Sequence, residues 1–154
     1  MSHSMYRFLE LTVGQYMSVA IETVRCDTSL AELDLLFREH DFNAFPVVES
    51  GRMVGLVTKF DFLKAFVFTT TQLVPHYDEL MQRSVREVMT EKVVQVEPQA
   101  PLTRALQMMV DLRSRSFPVV DQKQALVGMI AREDIMHALQ EATSGSLAEG
   151  SARP

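Results

Sequence analysis

Phe45-Pro46-Val47-Val48-Glu49 returns 72 positions later as Phe117-Pro118-Val119-Val120-Asp121, and the reading of this doubled strand decides the fold. Upstream of it, Met17-Ser18 returns as Met89-Thr90 and Leu30 as Leu102 at the same spacing. Downstream, Gly55 matches Gly128 and Asp61 matches Asp134 at a spacing of 73, so the second copy carries one extra residue around Asp121 to Gln124. Turns accept such insertions readily. The stretch Val13 to Phe66 therefore recurs as Val85 to Leu139, one supersecondary unit written twice.

Within each copy, strand and helix signals alternate. Ile21 to Val24 and Val93 to Val96 are short runs containing β-branched residues, which predict a first strand. Leu102, Ala105, Leu106, Met109 and Val110 then follow the i, i+3, i+4, i+7, i+8 spacing of an amphipathic helix, and Leu30, Leu33, Leu36 and Phe37 repeat the stripe. Ser29-Leu30-Ala31-Glu32 reads as a capping box, which starts the first of these helices near residue 29. Two apolar runs, Phe45 to Val48 and Met53 to Val57, flank Glu49-Ser50-Gly51-Arg52, a hairpin turn. A second helix is predicted from about Lys59, and from about Arg132 in the other copy. Each repeat is thus β-α-β-β-α, an α/β arrangement. The first repeat is assigned to residues 9–68, a linker to 69–83, the second repeat to 84–142 and a flexible tail to 143–154. Pro75 breaks any helix entering the linker, and Tyr77 to Met81 can form a short one.

A chain of 154 residues, 47% apolar, buries a real core, and its net charge of −5 without a Lys/Arg run supplies no basic stripe for nucleic acid. Apolar runs such as Ala65 to Phe68 fall far short of the ~20 residues that span a bilayer, and no signal sequence opens the chain, so a soluble cytoplasmic protein without a membrane partner is expected. Cys26 is the only cysteine, and His3, His40, His76 and His137 lack metal-ligand spacing, so neither a disulfide within the chain nor a zinc site is expected. Met108, Met109, Met129 and Met136 read as core packing. There is no Gly-x-Ser-x-Gly, Walker loop or Rossmann fingerprint. No catalytic residue is assigned.

The segments Val13 to Ser18 and Val85 to Thr90 (Val-x-x-x-Met-Ser/Thr), the Phe-Pro-Val-Val-acid strand, the later Gly and the closing Thr-x-x-Asp, with Ala131 replacing the second Thr, resemble the cystathionine-β-synthase (CBS) domain family. The resemblance covers roughly residues 9 to 142. It implies two β-α-β-β-α CBS repeats packed about a pseudo-twofold axis, a Bateman module, and a regulatory role rather than an enzyme. It also implies an adenosyl nucleotide as ligand (AMP, ADP, ATP or S-adenosylmethionine), with no covalently bound cofactor. By the same resemblance, a first cleft uses Ile21, Phe42, Asn43, Ala44, Pro46, Thr58, Lys59 and Asp61, the Asp holding the ribose hydroxyls. A second uses Val93, Ser114, Arg115, Ser116 and Pro118, with Ala131, Arg132 and Asp134.

The chemistry of these residues suits that ligand. A carboxylate at a strand end accepts from both hydroxyls of a ribose diol, each charge-assisted bond being worth about 1.5–3 kcal/mol. The N–H groups at the start of the helix after Thr58 or Ala131 suit anionic oxygen, and Arg115 and Arg132 offer planar multi-donor heads to phosphate. Thr58-Lys59-Phe60-Asp61 is equally a helix-capping pattern, and Arg113 and Arg115 equally read as solvated surface charges. The departure at Ala131 bears on the second cleft. No catalytic domain is present to be regulated, so a separate partner protein is expected; the alternative is a ligand-independent dimeric scaffold. Phe60, Phe62, Leu63, Ala65, Phe66, Val67 and Phe68 are too many apolar residues for one core face; the resemblance implies a homodimer packed through this helix, and the alternative is a helix buried within one chain against the linker.

Overall fold

The apolar face of a short hairpin needs a helix to cover it, and the doubled sequence supplies this twice. The computed structural model describes residues 3–67 and 77–151; Phe68, Pro75 and His76 lie outside the described residues. The elements run α1 (His3–Glu10), α2 (Val13–Tyr16), α3 (Leu30–Glu39), β1 (Ala44–Glu49), β2 (Arg52–Thr58), α4 (Lys59–Lys64) and α5 (Tyr77–Met81). After a single turn of 3₁₀ helix at Val85–Glu87 come α6 (Leu102–Leu112), β3 (Ser116–Val120), β4 (Leu126–Ala131) and α7 (Arg132–Ser151). β1 pairs with β2 and β3 with β4, each antiparallel and each with a register irregularity just after the residue that follows the proline, at Val47/Val48 and Val119/Val120.

Two compact units emerge, and they do not follow the order of the repeats. One is continuous, Glu22–Val93; the other joins the chain up to Ile21 with the chain from Val94 onward. The lead-in segment of each repeat therefore belongs with the other repeat's hairpin. Ser18 exchanges backbone hydrogen bonds with Met129 on β4 (2.8 and 2.9 Å), and Thr90 does so with Leu56 on β2 (2.8 and 2.9 Å).

On the opposite edge, the expected first strands shrink to one bridge each, Val24 with Val47 and Val96 with Val119, both parallel. The prolines explain this. Val24 N–H donates to Pro46 O and Val48 N–H to Val24 O, but the next upstream rung needs an N–H from residue 46, which proline lacks. Pro118 stops the second copy in the same way, after Val96 N–H has donated to its carbonyl.

The continuous unit's core is Val24, Cys26, Leu30, Leu33, Phe45, Val47, Val57, Met81 and Val85; the split unit's includes Phe8, Val13, Leu102, Ala105, Met109, Phe117, Val119, Ile130, Ile135 and Ala138. Burying each large side chain contributes roughly 1.5–3 kcal/mol. The stripe on α6 is narrower than its periodicity predicts, since Leu106 and Val110 are exposed, and Met136 is exposed as well. Ser29 Oγ accepts from Glu32 N–H at 3.1 Å, so α3 starts where the capping pattern puts it. Two features go beyond the sequence reading. α1 forms ahead of the repeat and inserts Phe8 into the split unit's core, and α7, anchored by Ile135, Ala138 and buried Ala142, continues to Ser151.

The extra residue in the second turn also has a cause. In the first copy Glu49 stretches back to accept the Cys26 N–H at 2.8 Å, a bond that holds its carboxyl below the usual carboxylate range. Pro98 stands where Cys26 does and has no N–H to offer. Asp121, in Glu49's place, instead accepts from Lys123 and Ala125 N–H at 2.8 and 3.0 Å and organises a longer turn. Gln124 there adopts φ 66° and pairs its amide with that of Gln95 at 2.9 and 2.7 Å.

Candidate functional site

β2 ends at Thr58 and α4 begins at once, which delivers Asp61 back over the strand end. The capping alternative is formed: Asp61 N–H donates to Thr58 Oγ1 and Thr58 N–H to Asp61 Oδ2, both at 3.0 Å. Asp61 is only 3% exposed, and among the described residues it is the one buried charged group. An isolated charge there would be costly. It is compensated by Lys64 Nζ, 2.9 Å from Oδ1, and by the Thr90 hydroxyl, 3.4–3.5 Å from the two oxygens. Lys64 and Thr90 are contacts that the sequence reading missed. Lys64 follows Asp61 at i+3, a legible helical pairing; Thr90 arrives from the second repeat's lead-in segment.

Around this carboxylate, Ala44 pairs in register with Thr58, and Lys59 N–H donates to Asn43 O at 3.0 Å, tying the start of α4 to the approach to β1. Lys59 Nζ lies 5.9 Å from the Phe37 ring centre. Phe42 stacks on His40 with ring centres 5.4 Å apart, Pro46 is buried and Asn43 exposed. These residues share the continuous unit; Ile21 falls in the other.

The second copy repeats the frame with different chemistry. Ser116 pairs in register with Ala131, and Arg132 N–H donates to Arg115 O at 3.0 Å, as Lys59 does to Asn43. Arg132 Nε also donates to Ser114 O at 3.1 Å. Asp134 Oδ2 accepts the Ala131 N–H at 2.8 Å. Its carboxyl titrates above the usual carboxylate range, chiefly because burial disfavours the charge, an effect that the Ala131 N–H opposes. His137, in the place of Lys64, turns to Glu141 at 3.3 Å instead. Pro118 is buried, Arg115 exposed, and Val93 falls in the continuous unit.

Two surface hollows of the split unit lie elsewhere. One of about 480 Å³ is lined by Gln95, Val96, Glu97 and Arg104 among others, and one of about 430 Å³ by Leu11, Gln15, Tyr16, His137 and Glu141. Neither lining includes a sequence-predicted site residue. Among the described residues no group of three His, Cys, Asp or Glu side chains forms a metal site, and no helix is long and apolar enough to cross a membrane.

The duplicated hairpin-and-helix unit has counterparts among known proteins. The family model described as "CBS domain" fits residues 13–67 and again 85–141. The chain belongs to the CBS domain family. CBS domain-containing protein YhcV of Bacillus subtilis is 31% identical over 136 residues, which cover 88% of this chain and 91% of that one. The crystal structure of CBSX2, an Arabidopsis thaliana protein, in complex with AMP superposes with a TM-score of 0.74 at 24% identity, over 86% of this chain and 98% of that one. The CBS domain pair of protein MJ0100, solved with 5′-methylthioadenosine and S-adenosyl-L-methionine, gives a TM-score of 0.66 at 25% identity, over 82% and 98%. Other curated relatives are longer: the chain spans 27% of a homoserine O-acetyltransferase from Methanohalobium evestigatum and 47% of the uncharacterized protein MJ0188 from Methanocaldococcus jannaschii.

Proposed function

We propose that this CBS pair is a regulatory sensor that binds an adenosyl nucleotide and signals its presence to a separate protein, catalysing nothing itself. The observation that carries the proposal is the recurrence of a carboxylate, Asp61 and Asp134, three residues past the end of a hairpin whose other strand opens on the segments Phe42 to Ala44 and Ser114 to Ser116. AMP, 5′-methylthioadenosine and S-adenosylmethionine, the ligands of the two related structures, share adenosine, and a ribose diol offers two donors that fit a carboxylate acceptor. Thermal unfolding against a panel of adenine nucleotides and S-adenosylmethionine tests the reading. Ligand at about 100 times its dissociation constant adds roughly 2.7 kcal/mol. No shift with any member of the panel would turn the reading toward a ligand-independent scaffold.

One observation favours assembly alongside sensing. The crowded helix divides its apolar residues: Phe62, Ala65 and Phe66 pack on the continuous unit's core, whereas Phe60, Leu63 and Val67 stay 70%, 60% and 68% exposed. We propose that this stripe joins two copies into a homodimer, since a contiguous apolar patch on a monomer is costly to leave in water. Sedimentation of Phe60→Glu is expected to give monomer where the wild type gives dimer; a wild type that sediments as monomer at every concentration removes the claim.

A further inference from the structure

We propose that the second cleft takes the ligand, and that Arg132 and Arg115 select a phosphorylated adenine nucleotide over a sulfonium one. The inference rests on the adenosyl-binding reading and adds which cleft and which ligand class. It follows from how differently the two copies spend their polar groups.

In the first copy the carboxylate is already served. Asp61 Oδ1 holds Lys64 Nζ at 2.9 Å, Oδ2 holds the Thr58 N–H at 3.0 Å, and the Thr90 hydroxyl lies against both oxygens. A diol arriving there must displace an ammonium from a carboxylate that is almost fully buried. Lys59, the cation at the start of α4, is drawn towards the Phe37 ring, and Phe42 has one face spent on His40.

The second copy lacks each of these internal partners. Among the described residues, Asp134 accepts one hydrogen bond, from Ala131 N–H, and only at Oδ2. Ala131 presents a smaller side chain than Thr58, and His137 is occupied with Glu141. Burial raises the proton affinity of Asp134 more than the Ala131 N–H and the neighbouring His137 lower it, so donors from a diol would supply stabilisation to its charge. The rim differs in the same sense. Arg132 is anchored through Nε to Ser114 O at 3.1 Å, which orients the guanidinium and leaves both terminal amino groups for phosphate oxygens. Its backbone N–H is bonded to Arg115 O, so a second guanidinium stems from the same corner. Asn43 and Lys59 hold those two places in the first copy. Two cationic side chains on hydrogen-bonded backbone positions favour phosphate and repel a sulfonium.

Calorimetric titration of the full chain with ATP, AMP, neutral 5′-methylthioadenosine and S-adenosylmethionine tests the assignment. One binding event is expected, with both phosphorylated nucleotides tighter than the neutral ligand and the sulfonium weakest. Asp134→Asn keeps an acceptor for the Ala131 N–H, so the helix start survives, but affinity for every ligand should fall about 10- to 150-fold. Arg132→Gln should weaken ATP about tenfold or more and leave 5′-methylthioadenosine unchanged. Lys64→Gln, which strips Asp61 of its internal cation, should add a second binding event. Unchanged affinity in Asp134→Asn, or a sulfonium bound as tightly as ATP, overturns this assignment while leaving the adenosyl reading intact. The absence of heat with any of the four ligands overturns both.

Discussion

Phe45→Ala is expected to lower stability by about 3–5 kcal/mol, measured as a lower midpoint in urea unfolding. The side chain is completely buried on β1, in the middle of the continuous unit's core, with Leu30, Leu33, Val47 and Val57 in the same cluster. Its ring also organises the aromatic residues of that unit. Phe37 lies 5.0 Å away between ring centres, Phe42 5.8 Å and His40 6.3 Å, and Phe37 in turn meets Phe62 of α4 at 6.3 Å. Truncation loses the transfer free energy of the ring and leaves a void that a hairpin pinned by backbone bonds cannot close. The damage reaches the candidate site because Phe45 pairs in register with Val57, one residue before the Thr58–Asp61 capping box. Leu35→Ala, at an exposed position on the neighbouring helix, supplies the control and should change stability by no more than about 0.5 kcal/mol. A loss below about 1 kcal/mol for Phe45→Ala would mean that this core is not packed as described.

Local pattern made much of the fold legible. The stripes on α3 and α6, the hairpin turns, the cap at Ser29 and the starts of α4 and α7 all depend on residues within a few positions of each other, and periodicity and capping chemistry report such neighbours directly. Partner choice was not legible. Nothing in the composition of Met17-Ser18 or Met89-Thr90 says that each segment lies against the hairpin of the other repeat, because both copies of a duplicated sequence offer equivalent edges. The shortness of the first strands was encoded after all, in the missing N–H of Pro46 and Pro118, but reading it requires knowing that Val24 and Val96 run parallel beside those prolines. α1 carries one buried anchor, Phe8, too little for a periodic signal.

At the candidate site the same division holds. Thr58 and Asp61 belong to one four-residue pattern, and their mutual hydrogen bonds are there, yet a spacing of three cannot distinguish a cap from a ligand-facing carboxylate. The difference between Asp61 and Asp134 lies in what surrounds them, a lysine one turn on in one copy and a histidine in the other. The Thr90 hydroxyl beside Asp61 was hidden by distance in the chain, although a hydroxyl at both Ser18 and Thr90 was visible as part of the repeat.

Gly128→Ala is expected to cost about 3 kcal/mol, the upper end of what overpacking usually takes, because the obstacle is backbone. A Cβ on Gly128 would stand 2.6 Å from Met17 Sδ and 2.9 Å from Ser18 O. The thioether can swing aside at modest cost. The carbonyl cannot, since Ser18 O accepts the Met129 N–H at 2.9 Å and Ser18 N–H donates to Met129 O at 2.8 Å, so retreat breaks the pair that seats the lead-in segment on β4. Gly55→Ala faces the same arrangement with slightly more room, 2.8 Å to Met89 Sδ and 3.0 Å to Thr90 O, and should cost less. Combining Gly128→Ala with Met17→Ala separates the two obstacles. The double variant should be less impaired than the sum of the single ones by the share that belongs to sulfur, while the loss due to the carbonyl persists. Amide hydrogen exchange at Ser18 and Met129 should quicken in Gly128→Ala well beyond the change at Val24, whose bonds lie in the other unit. Wild-type stability and exchange in Gly128→Ala would show that Ser18 does not sit on β4, and the exchange of lead-in segments between the repeats would fall with it.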